Sequence, residues 1–252
     1  MDTKAYLQRI KYSGPLEASA ETLRKLQLAH LLTVPFENLS IHSAEPIVLE
    51  DDPLFDKVVT RRRGGFCYEL NGLFAALLRA LGFEVAMLSA RVANADGVYG
   101  PDFDHMTLLV TLDERWLADV GFGDSFVEPL LLDERGEQVQ GERAYRIAVD
   151  AADRVLMQRI GDEEWKAQYH FALQPHQYPD YAEMCRYHQT SPESHFTRGR
   201  ICSRATPEGR VTLSDMRFIT TFVGSHREER VLKNEEEYAT TLREHFGIVM
   251  CQ

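Results

Sequence analysis

The chain has 252 residues, a length typical of one large domain or of two to three smaller ones. Hydrophobic residues make up 44% and charged residues 27% of the sequence, as in ordinary globular proteins, which excludes a disordered or fibrous chain. With 28 Lys and Arg against 39 Asp and Glu, the formal net charge is −11. This charge disfavours a nucleic-acid partner, because the phosphate backbone would be repelled.

The sequence shows neither a membrane-spanning apolar run nor the pattern of a signal peptide. No run approaches the roughly 18 apolar residues that span a bilayer. Residues 1–15 lack the basic and then apolar layout of a signal peptide. We therefore expect a cytoplasmic protein with no membrane partner. Four cysteines without a Cys-x-x-Cys pair are too few for a disulfide scaffold, which leaves them available for thiol chemistry: Cys67, Cys185, Cys202 and Cys251.

The first third of the chain has helical periodicity. The leucines at 16, 23, 26 and 31 predict helical structure that Pro35 ends. The clearest helix has apolar residues at i, i+4, i+7, i+8 and i+11 over 70–81, and Gly82 supplies the left-handed residue typical of a helix C-terminus. We place the start of this helix near Cys67.

After residue 83 the periodicity shortens to that of β-strands. Gly, Pro and Asp separate these segments at the short spacing of an antiparallel sheet or barrel, and a parallel doubly wound sheet is disfavoured. The predicted strands cover 85–92, 105–112, 116–121, 145–149, 155–160 and 164–173.

The last quarter of the chain returns to mixed structure. Residues 175–204 have no clean periodicity and are predicted to connect the barrel to a terminal α/β part. That part contains a strand over 216–222 and a helix that Asn234 opens and Gly247 closes.

A basic run, a glycine pair and a cysteine stand together at the start of the clearest helix, in the segment RRRGGFCYELN at 61–71. Helix dipoles and nearby guanidinium groups stabilise a thiolate, and glycines let backbone N–H groups approach a substrate carbonyl, as in an oxyanion hole. Cys67 is therefore a candidate nucleophile, and the alternative is a buried structural cysteine.

A cysteine nucleophile needs a base, and the base needs an orienting carboxylate. His105 opens an apolar strand and Asp119 ends the next one. A two-residue turn between these strands would point the two side chains to opposite faces of the sheet. We therefore predict a three-residue loop at 112–114, or a two-residue turn corrected by a bulge near Gly121 or Phe122.

These motifs resemble, in order and spacing, those of the arylamine N-acetyltransferase family: RRGGFCYELN at 62–71, then His105, then DVGFG at 119–123, with PFENL at 35–39 similar to the family's N-terminal signature. The resemblance spans nearly the whole chain. It implies an α+β fold with an N-terminal helical bundle, an antiparallel β-barrel and a C-terminal α/β lid, and a papain-like Cys-His-Asp site. We place the helical domain at 1–83, the barrel domain at 84–190, and the connector with the lid at 191–252.

The resemblance also implies roles for single residues. In the catalytic triad, Cys67 accepts the acyl group, His105 is its base and Asp119 fixes the imidazole tautomer. Phe122 and Phe36 are implied to bind the substrate, with the ring of Phe122 packing on the arylamine. The implied reaction is a ping-pong transfer of acetyl through a Cys67 thioester to arylamines and arylhydrazines.

Acetyl-CoA is the implied acyl donor, and no metal is required. Its pantetheine and phosphates are expected against backbone groups of 100–105 and 122–125. The protein is expected to be a monomer or a weak homodimer. Four further residues resemble the family's support network around the triad: Glu37, Arg63, Glu69 and Asn71. The implied CoA-binding residues are Gly100, Pro101, Asp102, Phe103 and Gly123.

Two alternatives remain open. A related Cys-His-Asp acyltransferase with a different acyl donor, or a thiol hydrolase, would use the same thiolate attack and thioester. In another class, a metal-binding module could form around Cys185 and His188, which have half of a zinc spacing, although no second tight pair of ligands follows. The candidate ligands of that module are His170, His176, Cys185, His188, His195 and Cys202.

Overall fold

The computed structural model describes residues 1–224 and 226–250. Cys251 lies outside the described residues. The part that the model describes has eight α-helices, and π-helical turns at Asp56–Thr60 and Leu242–Phe246 continue the fourth and the eighth. The helices are Thr3–Arg9 (α1), Ala20–Thr33 (α2), Leu39–His42 (α3), Asp51–Phe55 (α4), Cys67–Ala80 (α5), Tyr178–Thr190 (α6), His195–Arg198 (α7) and Glu235–Thr241 (α8).

Thirteen strands form two antiparallel sheets in the described residues. The strands are Phe36–Glu37 (β1), Glu84–Val92 (β2), His105–Thr111 (β3), Arg115–Ala118 (β4), Leu130–Leu131 (β5), Gln138–Gln140 (β6), Arg143–Asp150 (β7), Asp153–Ile160 (β8), Lys166–His176 (β9), Ile201–Thr206 (β10), Gly209–Ser214 (β11), Arg217–Phe222 (β12) and Arg227–Val231 (β13).

The larger sheet has eight strands in the order β5-β4-β3-β2-β9-β8-β7-β6. Side-chain amides bridge its two edge strands, since Gln138 Oε1 accepts from the Leu131 N–H at 2.7 Å and Gln138 Nε2 donates to the Leu131 carbonyl at 2.9 Å. The sheet is therefore a nearly closed barrel. All six strands predicted over 85–173 are confirmed, with ends that differ by three residues at most.

The smaller sheet has the order β1-β10-β11-β12-β13. The sequence predicted one strand here, over 216–222, and the other four are new. Strand β1 comes from the N-terminal third of the chain, yet it pairs with β10, with Phe36 opposite Ser203. The PFENL segment therefore joins the helical region to the C-terminal sheet.

The start of α2 differs from the sequence-based expectation. Leu16 is exposed and precedes α2, which begins at Ala20 because the Ser19 side chain accepts from the Thr22 N–H and caps the helix. By contrast, α5 begins at Cys67 and ends just before Gly82, which has a φ of +90°, as predicted.

The segment 175–204, predicted to be an aperiodic connector, contains α6 and α7. Helix α6 buries Tyr181, Cys185 and His188, which are spaced i, i+4 and i+7 along one face. The periodicity was missed because aromatic and polar residues carry it instead of aliphatic ones. A carboxylate also caps this helix, since Asp180 Oδ2 accepts from the Gln177 N–H at 2.8 Å.

Three apolar cores lie within the described residues. One lies between the N-terminal helices and β2–β4, a second fills the larger sheet, and a third packs the smaller sheet against α8. Leu73, Phe74 and Leu77 on α5 are fully buried in the first core, which fixes the helix that begins at Cys67. Within the described residues, no helix has the length and apolar character needed to cross a membrane.

Candidate active site

Cys67 is the first residue of α5, and buried charges hold this end of the helix. Glu69 Oε2 accepts from the Phe66 N–H at 3.0 Å, which satisfies one of the open amides at the helix start. The other oxygen of Glu69 lies 2.6 Å from Lys57 Nζ, and both side chains are buried. Because a buried carboxylate is stable only when paired, this ion pair fixes the backbone on which Cys67 sits.

The two glycines before Cys67 allow other residues of the protein to pack closely against the backbone. A Cβ atom on Gly64 would lie 2.0 Å from the Pro35 carbonyl oxygen, and one on Gly65 would lie 2.7 Å from Glu69 Oε2. The Gly65 carbonyl also accepts from the Glu37 N–H at 2.9 Å. Gly64 and Gly65 thus permit close packing against the Pro35–Glu37 segment and Glu69, and their approach to a substrate carbonyl stays a prediction.

The arginine run at 61–63 does not stabilise a thiolate as predicted. Arg63 lies 2.8 Å from Glu37 and Arg61 lies 2.5 Å from Glu45, so acidic partners engage these guanidinium groups. Cys67 is only 3% exposed. Burial raises the pKa of the Cys67 thiol well above its usual value, and the nearby Asp119 carboxylate adds to the increase. A hydrogen bond with the Met106 backbone opposes both.

His105 and Asp119 form a buried pair in the hairpin of β3 and β4. Thr111 lies opposite Arg115, which confirms the predicted three-residue loop at 112–114. This register puts both side chains on one face, and His105 Nε2 lies 2.6 Å from Asp119 Oδ2. Because a carboxylate can only accept, Nε2 carries a proton and donates it, which leaves Nδ1 as the nitrogen that faces away from Asp119.

Strand β4 ends at Ala118, not at Gly121 as predicted, because side chains replace a neighbouring strand there. The Asp119 N–H donates to Gln27 Oε1 at 3.1 Å and the Val120 N–H donates to Asn71 Oδ1 at 2.8 Å. The chain after Ala118 therefore leaves the sheet at the point where it contacts α5.

Four donors surround the Asp119 carboxylate. Asn71 Nδ2 donates to Oδ1 at 2.8 Å, and the Gly121 N–H donates to the same oxygen at 2.9 Å. The Tyr169 hydroxyl donates to Oδ2 at 3.2 Å, beside His105. Burial alone would raise the pKa of Asp119, but the pair with His105 and these hydrogen bonds outweigh it and hold the pKa below its usual value. Asp119 is thus ionised at neutral pH.

Gly121 lets the hairpin approach the nucleophile. A Cβ atom at this position would lie 2.7 Å from the Cys67 Cα and 3.0 Å from the Cys67 carbonyl oxygen. Contacts this short with backbone leave no room for a side chain. Only glycine therefore permits this spacing between the start of α5 and the end of β4.

Cys67 and His105 line the same cavity, which has a volume of about 730 Å³. The substrate-binding residues expected from sequence, Phe36 and Phe122, line it as well. The ring of Phe122 meets the His105 imidazole edge to face, with ring centroids 5.1 Å apart. A thiol, an imidazole and aromatic rings thus line one cavity.

Two of the five expected CoA-binding residues, Gly100 and Gly123, line this cavity. The described lining does not include the other three, Pro101, Asp102 and Phe103. Asp102 is exposed and lies 3.8 Å from Arg91. The ring of Phe103 packs edge to face on His176 and Tyr181.

Sequence reasoning missed Gln27 and Tyr169, which touch Asp119, and gave Gly121 no role of its own. Gln27 lies on α2 and Tyr169 on β9, so both reach the hairpin from distant parts of the chain. The one local signal was Gly121, because a glycine directly after a strand indicates close backbone approach.

The zinc-like spacing of Cys185 and His188 is one face of α6. Gln189 Nε2 lies 3.3 Å from Cys185 Sγ, and His188 Nδ1 lies 3.1 Å from Ser194 Oγ. Across the described residues, no group of three or more His, Cys, Asp and Glu side chains converges as a metal site. Cys185 and His188 thus each contact a polar side chain of the protein itself.

A family model described as N-acetyltransferase matches residues 19–252. The arylamine N-acetyltransferase of Escherichia coli K12 is 35% identical over 246 residues, covering 96% of this chain and 87% of the relative. Proansamycin X synthase of Amycolatopsis mediterranei S699 is 34% identical, with 94% of each chain covered. The Mycobacterium marinum arylamine N-acetyltransferase in complex with CoA superposes with a TM-score of 0.90 at 32% identity, over 98% of this chain and 93% of that one.

Proposed function

Because the chain belongs to the arylamine N-acetyltransferase family, we propose that it carries acetyl from acetyl-CoA to arylamines and arylhydrazines through a thioester on Cys67. The observation that supports this most is the buried pair of His105 and Asp119, 2.6 Å apart, at a cavity that Cys67 also lines. A thiol, a base and an orienting carboxylate are the parts that nucleophilic acyl transfer requires.

The first step is a proton transfer inside the protein. Since Nε2 of His105 donates to Asp119, Nδ1 is available to take the proton of the Cys67 thiol. Burial disfavours an isolated thiolate, so the thiolate forms together with an imidazolium, which the Asp119 carboxylate stabilises. The imidazolium, held by the Asp119 carboxylate, thus takes the role of stabilising the thiolate, which the sequence had assigned to the guanidinium groups at 61–63.

Acetyl transfer then follows in two halves. The Cys67 sulfur attacks the acetyl carbonyl and forms a C–S bond, the bond to the CoA sulfur breaks, and CoA leaves with the proton from the His105 imidazolium. In the second half the acceptor nitrogen attacks the thioester and forms a C–N bond, and the bond to Cys67 breaks. The proton lost by the nitrogen passes through His105 to the departing sulfur.

The aromatic wall of the cavity supports an aromatic acceptor. Phe36, Phe122 and Phe196 line it, and rings of this kind bind a planar acceptor by offset or edge-to-face stacking. An apolar wall also lowers the local concentration of water, which competes with the amine for the thioester. This favours transfer over hydrolysis.

Backbone groups around Gly100 and Gly123 are proposed to contact the CoA donor, since both glycines line the cavity. The Asp124 carboxylate beside them does not present an uncompensated charge to the CoA phosphates. It lies 2.7 Å from Arg143 and 3.1 Å from Arg210, and these ion pairs hold its pKa below the usual value even though burial opposes this.

The deciding experiment separates transfer from hydrolysis. Enzyme is incubated with p-nitrophenyl acetate, with and without aniline, and both p-nitrophenol and acetanilide are measured. We expect aniline to accelerate p-nitrophenol release and acetanilide to match it mole for mole. Release that is independent of aniline and yields acetate would identify a thiol hydrolase instead. Repeating the assay with acetyl-, propionyl- and malonyl-CoA, and following CoA release, ranks the donors.

A further inference from the structure

A small cavity of about 200 Å³ lies apart from the one that contains Cys67, and we call it the basic pocket. Within the described part of the chain, the two cavities share no lining residue. Ser203 lines the Cys67 cavity and Arg204 lines the basic pocket, since successive residues of β10 face opposite sides of the sheet. The charged and titratable side chains of the basic pocket come from four parts of the chain: Arg9, Lys11, Arg62, Arg204, Glu244 and His245.

Arg9 is the most deeply buried cation of the basic pocket, at 5% exposed. Burial lowers the pKa of Arg9 to about 10, and the Arg62 cation adds to this. A carbonyl satisfies a hydrogen bond but carries no net charge, so the charge of Arg9 is not neutralised by the groups that hold it. Its guanidinium donates to the backbone carbonyls of Val58 at 2.9 Å, Thr33 at 3.0 Å, Arg63 at 3.2 Å and Arg62 at 3.4 Å.

Arg204 is held in the same way. Its Nη1 donates to the Leu32 carbonyl at 2.6 Å, and its Nη2 donates to the His245 carbonyl at 2.8 Å. Burial lowers the pKa of Arg204. Because Leu32 and Thr33 end α2, Arg204 and Arg9 both meet the negative end of that helix dipole, which is equivalent to about half a unit charge.

Positive charge exceeds negative charge in the basic pocket. Across residues 1–224 and 226–250, none of its four Lys and Arg side chains forms an ion pair with a carboxylate. The acidic residue of the described lining is Glu244. Even with Glu244 and the half charge of α2, more than two positive charges stay uncompensated. Since charges removed from water are stable when they are paired, the basic pocket lacks an anion.

We propose that the basic pocket binds a phosphate-sized oxyanion, inorganic phosphate or sulfate. Guanidinium groups make strong, charge-assisted hydrogen bonds to such oxygens. The volume accommodates the ion with a few water molecules, since one water molecule takes about 30 Å³ of liquid. Arg9 also holds the carbonyls of Arg62 and Arg63, shortly before Cys67. The bound anion therefore stabilises the segment that leads into α5.

Isothermal titration calorimetry with inorganic phosphate, at an ionic strength held constant with NaCl, tests the site. We expect one phosphate per chain, displaced by sulfate. Arg62→Gln, at an exposed cation of the pocket, should weaken phosphate binding about tenfold, the effect of losing a charge-assisted hydrogen bond. Glu244→Gln should tighten binding, because it removes a negative charge that repels the anion. Arg217→Gln, at an exposed arginine paired with Glu229, is the matched control and should bind like the native protein.

Thermal unfolding separates this site from the general effect of salt. Phosphate and sulfate stabilise most proteins because they are excluded from the surface, and that effect is the same in native protein and variant. Specific binding adds to it in the native protein. At a phosphate concentration about tenfold above Kd, we expect the Tm of the native protein to rise about 2–4 °C more than that of Arg62→Gln.

The proposal is overturned if the native protein does not bind phosphate, or if Arg62→Gln binds it equally well. Displacement of phosphate by free CoA would also overturn it, since the anion would then be a CoA phosphate. If Arg62→Gln does not fold, Lys11→Gln, at another exposed cation of the pocket, takes its place. None of these measurements uses acetyl transfer, so their outcome is independent of the proposed function.

Discussion

Asn71 Nδ2 donates to Asp119 Oδ1 at 2.8 Å, and this buried bond joins the helix of the nucleophile to the hairpin of the base. Asn71 lies one helical turn after Cys67 on α5. Its amide also donates to the Met106 carbonyl at 2.6 Å, and its oxygen accepts from Val120. One side chain thus holds both strands of the hairpin against α5, so the thiol and the imidazole keep their relative position.

The Asp119 carboxylate determines which nitrogen of His105 is the base. In Asp119→Asn the amide can donate to Nε2, which moves the ring proton to Nδ1 and blocks the nitrogen that accepts from the thiol. We expect acetylation of Cys67 by acetyl-CoA to slow about 10⁴-fold with the fold preserved. Rapid mixing and mass spectrometry measure this rate. Asp133→Asn, at an exposed carboxylate paired with Arg115, is the control, and near-normal acetylation by Asp119→Asn would remove Asp119 from the triad.

Gly121 provides a steric test of the same arrangement. Gly121→Ala places a methyl group 2.7 Å from the Cys67 Cα, so the hairpin or the helix start must shift. We expect kcat/KM to fall about 100-fold, since a displacement on the order of 1 Å between reacting groups has that effect. Gly136→Ala, in an exposed turn, serves as control. Unchanged activity in Gly121→Ala would show that the close approach is not required.

The starting point of α5 and the pairing of His105 with Asp119 could be predicted because both depend on neighbours along the chain. Apolar periodicity defines a helix locally, and hairpin parity decides which strand residues share a face. The partners of Asp119 could not be predicted, since Gln27 and Tyr169 arrive through tertiary packing from α2 and β9. No local pattern encodes such contacts.

The arginine run shows where local chemistry misleads. Three basic residues next to a cysteine suggested an activated thiolate. Instead, Arg63 forms an ion pair with Glu37 and Arg61 with Glu45, and both glutamates are distant in sequence. Helix α6 was missed for a related reason. Its buried face is built from Tyr181, Cys185 and His188, residue types that do not register as an apolar stripe.

Phe122 should act on the acceptor more than on the donor. Its ring lines the cavity beside His105, where an acceptor ring would stack. In Phe122→Ser we expect the order of preference among arylamines to change, with about a tenfold loss for the best of them, a typical effect of losing one aromatic contact. Separate measurement of the two half-reactions tests this. Equal losses in both would indicate a structural role.

Because of His30, we expect the free energy of unfolding to decrease at acidic pH. Burial between Tyr6 and Phe74 lowers the pKa of His30 to about 3 from 6.5, with Arg9 contributing. Between these values the unfolded chain binds a proton that the folded protein does not. The free energy of unfolding therefore falls as pH drops below 6.5, by at most about 1.4 kcal/mol per pH unit from this group.

His30→Gln removes this titration. Urea unfolding of both proteins between about pH 7 and about pH 5 should show a shallower loss of stability in the variant, whatever its stability at neutral pH. Parallel curves would mean that His30 is protonated in the folded state.

The covalent intermediate on Cys67 is the central claim, and intact-protein mass spectrometry tests it directly. Incubated with acetyl-CoA alone, the protein should gain one acetyl group, because acylation precedes acceptor binding in a double displacement. Cys67→Ala should gain none, whereas Cys185→Ala, which removes a buried thiol of α6, should be labelled like the native protein. Acetylation and turnover that persist in Cys67→Ala would contradict the account.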